Sequence, residues 1–204
     1  MDREIAMQRL QELVGRNLHD LAAYYQITVR TPSGMVNKGW AGHVCERHLG
    51  VPINSLQSPD FGSWELKSIP LKRLKNGALQ FKETMAVTMI DPVQVAQTPF
   101  EESHLLSKLR RAICVARIVG DSVDEPSYIH SINTIDLDGA LFHAVKSDYE
   151  LVQGCLRDPA RGFPALTGSM GVYIQPRTKG AGHGSTSRAF YARPNFLAQF
   201  IALA

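Results

Sequence analysis

The sequence predicts an α/β fold in which a mixed central sheet is flanked by helices. Three observations indicate this class: helical periodicity in the N-terminal quarter, an Asn76-Gly77 hairpin signal, and alternating strand-like and helical stretches after it. A chain of 204 residues with 44% hydrophobic residues suits one compact domain or two lobes sharing a cleft. We therefore expect a single domain over 1–204, built as two lobes.

The N-terminal part of the chain predicts three helices. Apolar residues recur at helical spacing over 2–16, and Gly15 breaks the period. A second helix is expected over 18–26. A third, over 40–49, would end at Gly50, because glycine is a common helix stop.

A hairpin and a buried strand are expected next. The strand-like runs 66–71 and 81–90 are joined through Asn76-Gly77, a dipeptide that favours tight hairpin turns. A short helix with a basic face is expected over 103–111. The apolar, β-branched run 112–119 predicts a buried strand.

The last third alternates between strands and helices. Strands are expected over 128–135 and 171–177, with a helix over 138–157 between them. A polar, glycine-rich loop follows over 179–188, and a short apolar helix over 195–204 closes the chain. This order favours a sheet enzyme over a helical bundle or a β-sandwich.

The composition indicates which partners and which cellular compartment to expect for the protein. The net charge of +3 permits a polyanionic partner without requiring one. Three distant cysteines, Cys45, Cys114 and Cys155, form neither a disulfide framework nor a zinc spacing, which indicates a reducing compartment. No apolar run is long enough for a membrane span, and the N-terminus lacks a secretion signal. We expect a cytoplasmic protein without membrane partners.

The segment 59–67 carries the chemistry of greatest interest. Alternate residues of a strand share a face, so Glu65 and Lys67 should point the same way while Leu66 points into the core. Asp60, at the end of a turn-like stretch, can be brought back toward them. Two carboxylates suit a hard divalent cation, and a lysine can steer water, so the pattern predicts metal-assisted phosphodiester hydrolysis.

Two alternatives stay open at this point. Glu-x-Lys on an exposed strand face is commonly a solvated charge pair. Glu46, in the mostly apolar stripe of the third helix, is either a surface glutamate or an additional acidic ligand at the metal.

Basic residues of the short helix 103–111 suggest a phosphate contact. His104, Lys108 and Arg111 would recur on one helical face. Such a face either is simply solvated or contacts DNA phosphates.

A third group of polar residues surrounds the glycine-rich loop. It consists of Gln175, Arg177, Lys179, Arg188, Tyr191 and Arg193. These side chains suit reading base edges in a DNA groove, and the alternative is an ordinary solvent loop. The loop is not a P-loop, because it lacks Gly-Lys-Ser/Thr.

Matches to one family run in order over 38–200. They are Lys38-Gly-Trp-Ala-Gly42, Glu46, Leu49-Gly50, Asp60-Phe61, Glu65-Leu-Lys67-Ser-Ile-Pro70, Glu83-Thr84, Phe100-Glu101, Ser103-His104, Lys108-Leu109, Gln175, Arg177, Lys179, Phe190-Tyr191 and Asn195-Phe196. In these residues the chain resembles the MutH mismatch-repair endonucleases and their GATC-cutting restriction relatives, a branch of the PD-(D/E)xK nucleases.

The resemblance implies a PD-(D/E)xK core with two lobes around a DNA cleft, and roles for individual residues. Asp60 and Glu65 would bind Mg²⁺ with help from Glu46. Lys67 would position or activate water, and Lys108 would act near the scissile phosphate.

The resemblance also implies the DNA contacts. Arg177, Lys179 and Tyr191 fall where the family contacts its recognition sequence, and the tyrosine region is implicated in sensing adenine methylation. The spacing from Asp60 to Glu65 and the segment 112–120 differ from the repair enzymes, which favours a restriction type.

The predicted function is thus a Mg²⁺-dependent, sequence-specific endonuclease for double-stranded DNA. One alternative is a repair nickase activated by a partner protein, and another is a catalytically inactive DNA-binding module. A homodimer or a repair-protein partner is compatible with these readings.

Overall fold

A computed structural model describes residues 1–51, 61–180 and 187–203. The chain divides into two compact units. The first consists of Met1–Glu83, Ala112–Thr134 and Ile201–Ala204, and the second of Thr84–Arg111 and Ile135–Phe200. The prediction of one domain with two lobes around a cleft stays a prediction.

The described residues form helices and strands in alternation. The helices are α1 (Arg3–Gln11), α2 (Leu18–Tyr24), α3 (Trp40–His48), α4 (Pro92–Gln97), α5 (His104–Leu109), α6 (Gly139–Arg157) and α7 (Pro194–Leu197). The strands are β1 (Glu65–Arg73), β2 (Leu79–Phe81), β3 (Met85–Met89), β4 (Arg111–Ile118), β5 (Tyr128–Asp136), β6 (Ile174–Thr178) and β7 (Arg188–Ala192).

The three N-terminal helices form in the predicted regions, but α1 ends at Gln11, before the Gly15 that was expected to end it. Asp2 and Asn17 cap α1 and α2 by accepting backbone N–H groups of the first turn. Helix α3 buries Trp40, Val44 and Cys45 in the core of the first unit, together with Leu66 of β1. This packing holds α3 against β1.

A four-stranded mixed sheet has the order β2-β1-β4-β5. Strand β1 pairs antiparallel with β2 and parallel with β4, so it is an internal strand. The residues of β4 from Ala112 to Ala116 are fully buried, as their apolar sequence predicted. The predicted α/β class, with a mixed sheet and flanking helices, is confirmed.

The hairpin prediction is only partly correct. The Asn76-Gly77 turn joins β1 to the short β2, but residues 85–89 form β3 in a second sheet of order β3-β7-β6. The polar residues Lys82, Glu83 and Thr84 interrupt the apolar run, and the chain leaves the first sheet there.

The second unit departs from the sequence prediction at four elements. Helix α5 ends at Leu109, because Arg111 already belongs to β4. Helix α7 is only four residues long, and α4 and β7 were not predicted. Helix α6 matches the expected helix over 138–157 closely. Within the described ranges, no helix is both long and apolar enough to span a bilayer.

Candidate active site

Glu65 and Lys67 lie in direct contact at the start of β1. They are alternate residues of the strand and therefore share one face, and the Lys67 Nζ donates a hydrogen bond to the Glu65 Oε1. The side chain of Glu65 is 1% exposed and that of Lys67 is 19% exposed. The structure thus brings together a buried carboxylate and a partly accessible ammonium group.

The alternative of a solvated charge pair on an exposed strand face is wrong for these residues. Glu65 pairs with the fully buried Ala112 of β4 and is itself 1% exposed. An exposed pair contributes about 0–1 kcal/mol, whereas burying a charge such as that of the Glu65 carboxylate costs several kcal/mol. Stability is therefore a weak reason to keep such a pair, and chemistry is a better one.

A short turn leads the chain into β1. The ring of Phe61 stacks on Trp64 with centroids 3.8 Å apart, and the Phe61 N–H donates to the Trp64 carbonyl at 3.2 Å. Trp64 is itself buried, and its Nε1 donates to the Met1 carbonyl at 3.0 Å. Asp60 precedes this turn and lies outside the described residues, so its role as a metal ligand stays a prediction.

Glu46 lies on α3, the helix that packs against β1. Its side chain is half-buried, which fits an interior polar group better than a surface glutamate. Its carboxylate helps to raise the pKa of the adjacent Cys45 thiol to about 12, although burial is the larger cause. Burial raises the pKa of Cys114 to about 12 as well. Neither thiol is a competent nucleophile near neutral pH.

The donor chemistry fits a hard divalent cation. Glu46 and Glu65 supply carboxylate oxygens, the ligands that Mg²⁺ and Ca²⁺ prefer. In the part of the chain that the structure describes, no group of three or more His, Cys, Asp and Glu residues is arranged to hold a metal. Asp60, the remaining predicted ligand, is outside that part.

Lys108 is buried in the second unit. It lies on α5 and is only 7% exposed, so the alternative of a solvated basic helix face is wrong for this residue. The predicted helical face with His104 and Arg111 does not form, because Arg111 belongs to β4. The Arg111 Nε lies 4.0 Å from the Asp136 Oδ1. The assignment of Lys108 to the scissile phosphate stays a prediction.

Strands β6 and β7 bring three of the predicted DNA contacts to one face. Gln175 is opposite Tyr191 in the antiparallel register, and Arg177 follows Gln175 at a spacing of two. The Arg177 guanidinium lies 5.7 Å from the centre of the Tyr191 ring, and its Nη1 donates to the Thr84 Oγ1 at 2.9 Å. Arg177 is exposed, whereas Gln175 is 5% exposed.

Two other predicted DNA contacts bind carbonyl groups of the chain itself. Arg188 donates to the carbonyls of Phe163 and Pro164 at 3.3 and 3.2 Å. Arg193 donates to the Gly168 carbonyl at 2.7 Å. These bonds give both guanidinium groups a role in holding the loop before β6, and their contact with DNA stays a prediction.

Asp148 is a positioning residue that the sequence prediction missed. Its carboxylate, 4% exposed, accepts the backbone N–H groups of Val172, Tyr173 and Ile174 at 2.7, 2.7 and 2.8 Å. It therefore anchors the first residue of β6, the strand that carries Gln175 and Arg177. An aspartate inside the apolar stripe of a long amphipathic helix was the available signal.

The fold and the buried Glu-x-Lys pair on an internal strand are those expected of the PD-(D/E)xK class. The family model described as DNA mismatch repair enzyme MutH matches residues 49–143. This region includes α5, β1 to β4 and the Glu65–Lys67 pair.

Named relatives come from both branches of the predicted family. The chain is 34% identical over 112 residues to the DNA mismatch repair protein MutH of Vibrio campbellii, covering 53% of this chain and 47% of that protein. It is 25% identical over 201 residues to the type II restriction enzyme Sau3AI of Staphylococcus aureus, covering 94% of this chain and 38% of that protein. The chain is thus similar to MutH and to Sau3AI, as the resemblance predicted, and it spans about half or less of the length of these proteins.

Replacing Asp148 tests its anchoring role. We expect Asp148→Ala to lower the free energy of unfolding by roughly 2–4 kcal/mol, because three backbone N–H groups, of which that of Ile174 is buried, lose a charged acceptor. Urea denaturation provides the measurement. Glu150→Ala on the same helix is the control, since Glu150 is exposed, and it should shift the midpoint little. Equal midpoints for the two variants would contradict the assignment.

Proposed function

We propose that this protein is a metal-dependent endonuclease that hydrolyses phosphodiester bonds in double-stranded DNA. The observation that carries the proposal is the ion pair on strand β1 between the buried Glu65 carboxylate and the partly accessible Lys67 ammonium group. It lies within residues 49–143, the region that resembles the mismatch repair enzyme MutH. The names of the relatives, a mismatch repair protein and a type II restriction enzyme, support a DNA substrate.

A restriction-type role is the better supported of two biological settings. The similarity to Sau3AI extends over 94% of the chain, whereas that to MutH extends over 53%. The higher identity to MutH, 34% against 25%, favours the second setting, a repair nickase activated by a partner protein. Cutting of both strands by the isolated chain at low concentration distinguishes the first from the second.

Asp60, Glu65 and Glu46 hold the catalytic cation, which we propose to be Mg²⁺. When bound, such a cation neutralises charge on the scissile phosphate and lowers the pKa of a coordinated water. The chain supplies carboxylate oxygens for it from a buried strand and from a helix packed on that strand.

Lys67 orients the attacking water in line with the leaving 3′ oxygen. Its ammonium group is held in place by the Glu65 carboxylate and is still partly accessible. A group that positions an attacking water needs both a fixed location and access to that water. Lys108 stabilises negative charge at the scissile phosphate. This chemistry leaves 5′-phosphate and 3′-hydroxyl ends.

Arg177, Lys179 and Tyr191 read the DNA sequence. Arg177 and Tyr191 share one face of a three-stranded sheet, and stacking of the guanidinium on the ring orients its donors. Tyr191 senses adenine methylation in this proposal. Contacts from Gln175, Arg188 and Arg193, a homodimer and a cytoplasmic location stay predictions.

Lys67→Ala tests the catalytic assignment. We expect the cleavage rate to fall at least about 100-fold, as for loss of a group that positions or activates a nucleophile, with DNA binding largely kept. Plasmid cleavage and gel-shift assays measure the two quantities. Lys146→Ala, which removes a partly exposed ammonium group paired with Glu101, should cut like the unmodified protein. A Lys67→Ala protein with full cleavage activity would exclude this role.

Metal removal tests the cofactor. Chelation with EDTA should abolish cleavage, and Mg²⁺ added back in excess should restore it, because the carboxylates need a counter-charge to approach a phosphate. Glu65→Gln should require more Mg²⁺ for half-maximal rate. Cleavage that continues in EDTA after dialysis would rule out a metal-dependent mechanism.

Tyr191→Ala tests the reading face. We expect the ratio of kcat/KM between unmethylated and methylated sites to change by about tenfold or more, the size of a lost base-edge contact. Tyr24→Ala is the control, because Tyr24 is 77% exposed and lies in the other unit. Equal losses on all substrates would count against a reading role.

A further inference from the structure

A cluster of positive charge lies on the hairpin formed by β1 and β2. Between Glu65 and Glu83 the sequence contains five cationic side chains and no acidic one. They are Lys67, Lys72, Arg73, Lys75 and Lys82. The whole chain carries a net charge of only +3, so this segment is a local excess of positive charge.

The tip of this hairpin, residues 72–78, is a well-defined turn. The last β1–β2 pair is Arg73 opposite Leu79, and the Leu74 N–H donates to the Ala78 carbonyl at 2.8 Å. Gly77 takes a positive φ of 86°, which glycine adopts without strain. Because the backbone of the turn is already fixed, binding needs to order only the side chains of the tip.

Three of the five cations are available at the tip. Lys72, Arg73 and Lys75 are exposed, and no carboxylate of the described residues forms an ion pair with them. Arg73 donates one hydrogen bond to the neutral Gly77 carbonyl and keeps its charge. Lys67, by contrast, is paired with Glu65.

The tip and the nuclease pair are two ends of one strand. Arg73 follows Lys67 by six residues along β1, which at ~3.3 Å per residue is about 20 Å. Double-stranded DNA carries one negative charge per ~1.7 Å of its axis, so about a dozen phosphate charges fall within that distance. A duplex that runs from Lys67 along β1 would therefore offer phosphates to the tip.

We propose that the basic tip, Lys72, Arg73 and Lys75, binds the sugar–phosphate backbone of duplex DNA beside the cleavage site, independently of sequence. The proposal rests on the endonuclease function proposed above. Phosphate contacts of exposed lysine and arginine add affinity and fix the position of the duplex, and they carry no direct sequence information. Base reading stays with the face that contains Arg177 and Tyr191.

The test is a triple variant, Lys72→Gln, Arg73→Gln and Lys75→Gln, measured in duplex binding at several salt concentrations in EDTA. The magnitude of the slope of log K against log salt should fall by up to about 3, at ~0.9 per lost phosphate contact. Affinity should fall at least about tenfold at low salt, equally on cognate and unrelated duplexes.

A matched control removes the same charge elsewhere in the first unit. Arg9→Gln, Arg16→Gln and Arg47→Gln change three exposed arginines outside the hairpin. This control should keep the slope of the unmodified protein. Thermal unfolding of both triple variants should match that of the unmodified protein, since the changed side chains are exposed.

Duplex length adds a second measurement. As the DNA arm beside the cleavage site is lengthened, the unmodified protein should gain affinity until the arm reaches roughly six base pairs, the span of about 20 Å. The hairpin variant should gain much less. An equal gain for both proteins would overturn the proposal.

The results of these measurements distinguish failure of the tip contact from failure of the proposed endonuclease function. An unmodified protein that neither binds nor cuts DNA refutes the function itself. An unmodified protein that cuts DNA, with an unchanged salt slope in the hairpin variant, refutes only the tip contact. Binding to polyglutamate is measured as well. If the hairpin variant keeps the salt slope on DNA but loses binding to polyglutamate that the unmodified protein has, the tip binds an acidic protein partner, and the proposal is overturned.

Discussion

The ion pair between Glu65 and Lys67 is the interaction on which the rest of the site depends. It lies on β1, and the parallel register with β4 fixes the position of the pair along the sheet. Leu66, the residue between the two charged residues, is buried in the core. Because the carboxylate is buried, its position is set by the sheet and not by solvent. The sheet therefore supplies the preorganisation that the proposed metal-assisted hydrolysis would need.

Local periodicity explains what the sequence could predict. Helical spacing placed α1, α2, α3 and α6, and the strand period of two placed Glu65 and Lys67 on one face. The second sheet could not be found this way, because β3 pairs with β7 about 100 residues later in the chain. That pairing is a property of the folded chain, and no local pattern encodes it.

The contacts of polar side chains could not be predicted from the sequence either. Asp148, Arg188 and Arg193 find their partners among backbone groups, which every residue carries and which leave no signal in the sequence. The basic face through Lys108 and Arg111 was wrong because α5 stops at Leu109. The sequence shows which residues near α5, β6 and β7 are charged. It does not show which group each charged side chain contacts.

The proposed hydrolysis of duplex DNA at a site built around Glu65 and Lys67 can be tested in one experiment. The protein is incubated with Mg²⁺ and unmethylated, hemimethylated or fully methylated plasmid, and the ends are mapped. We expect discrete fragments with 5′-phosphate and 3′-hydroxyl ends, from at least one methylation state. Plasmid that stays intact in all three states, or fragments with 3′-phosphate ends, would contradict it.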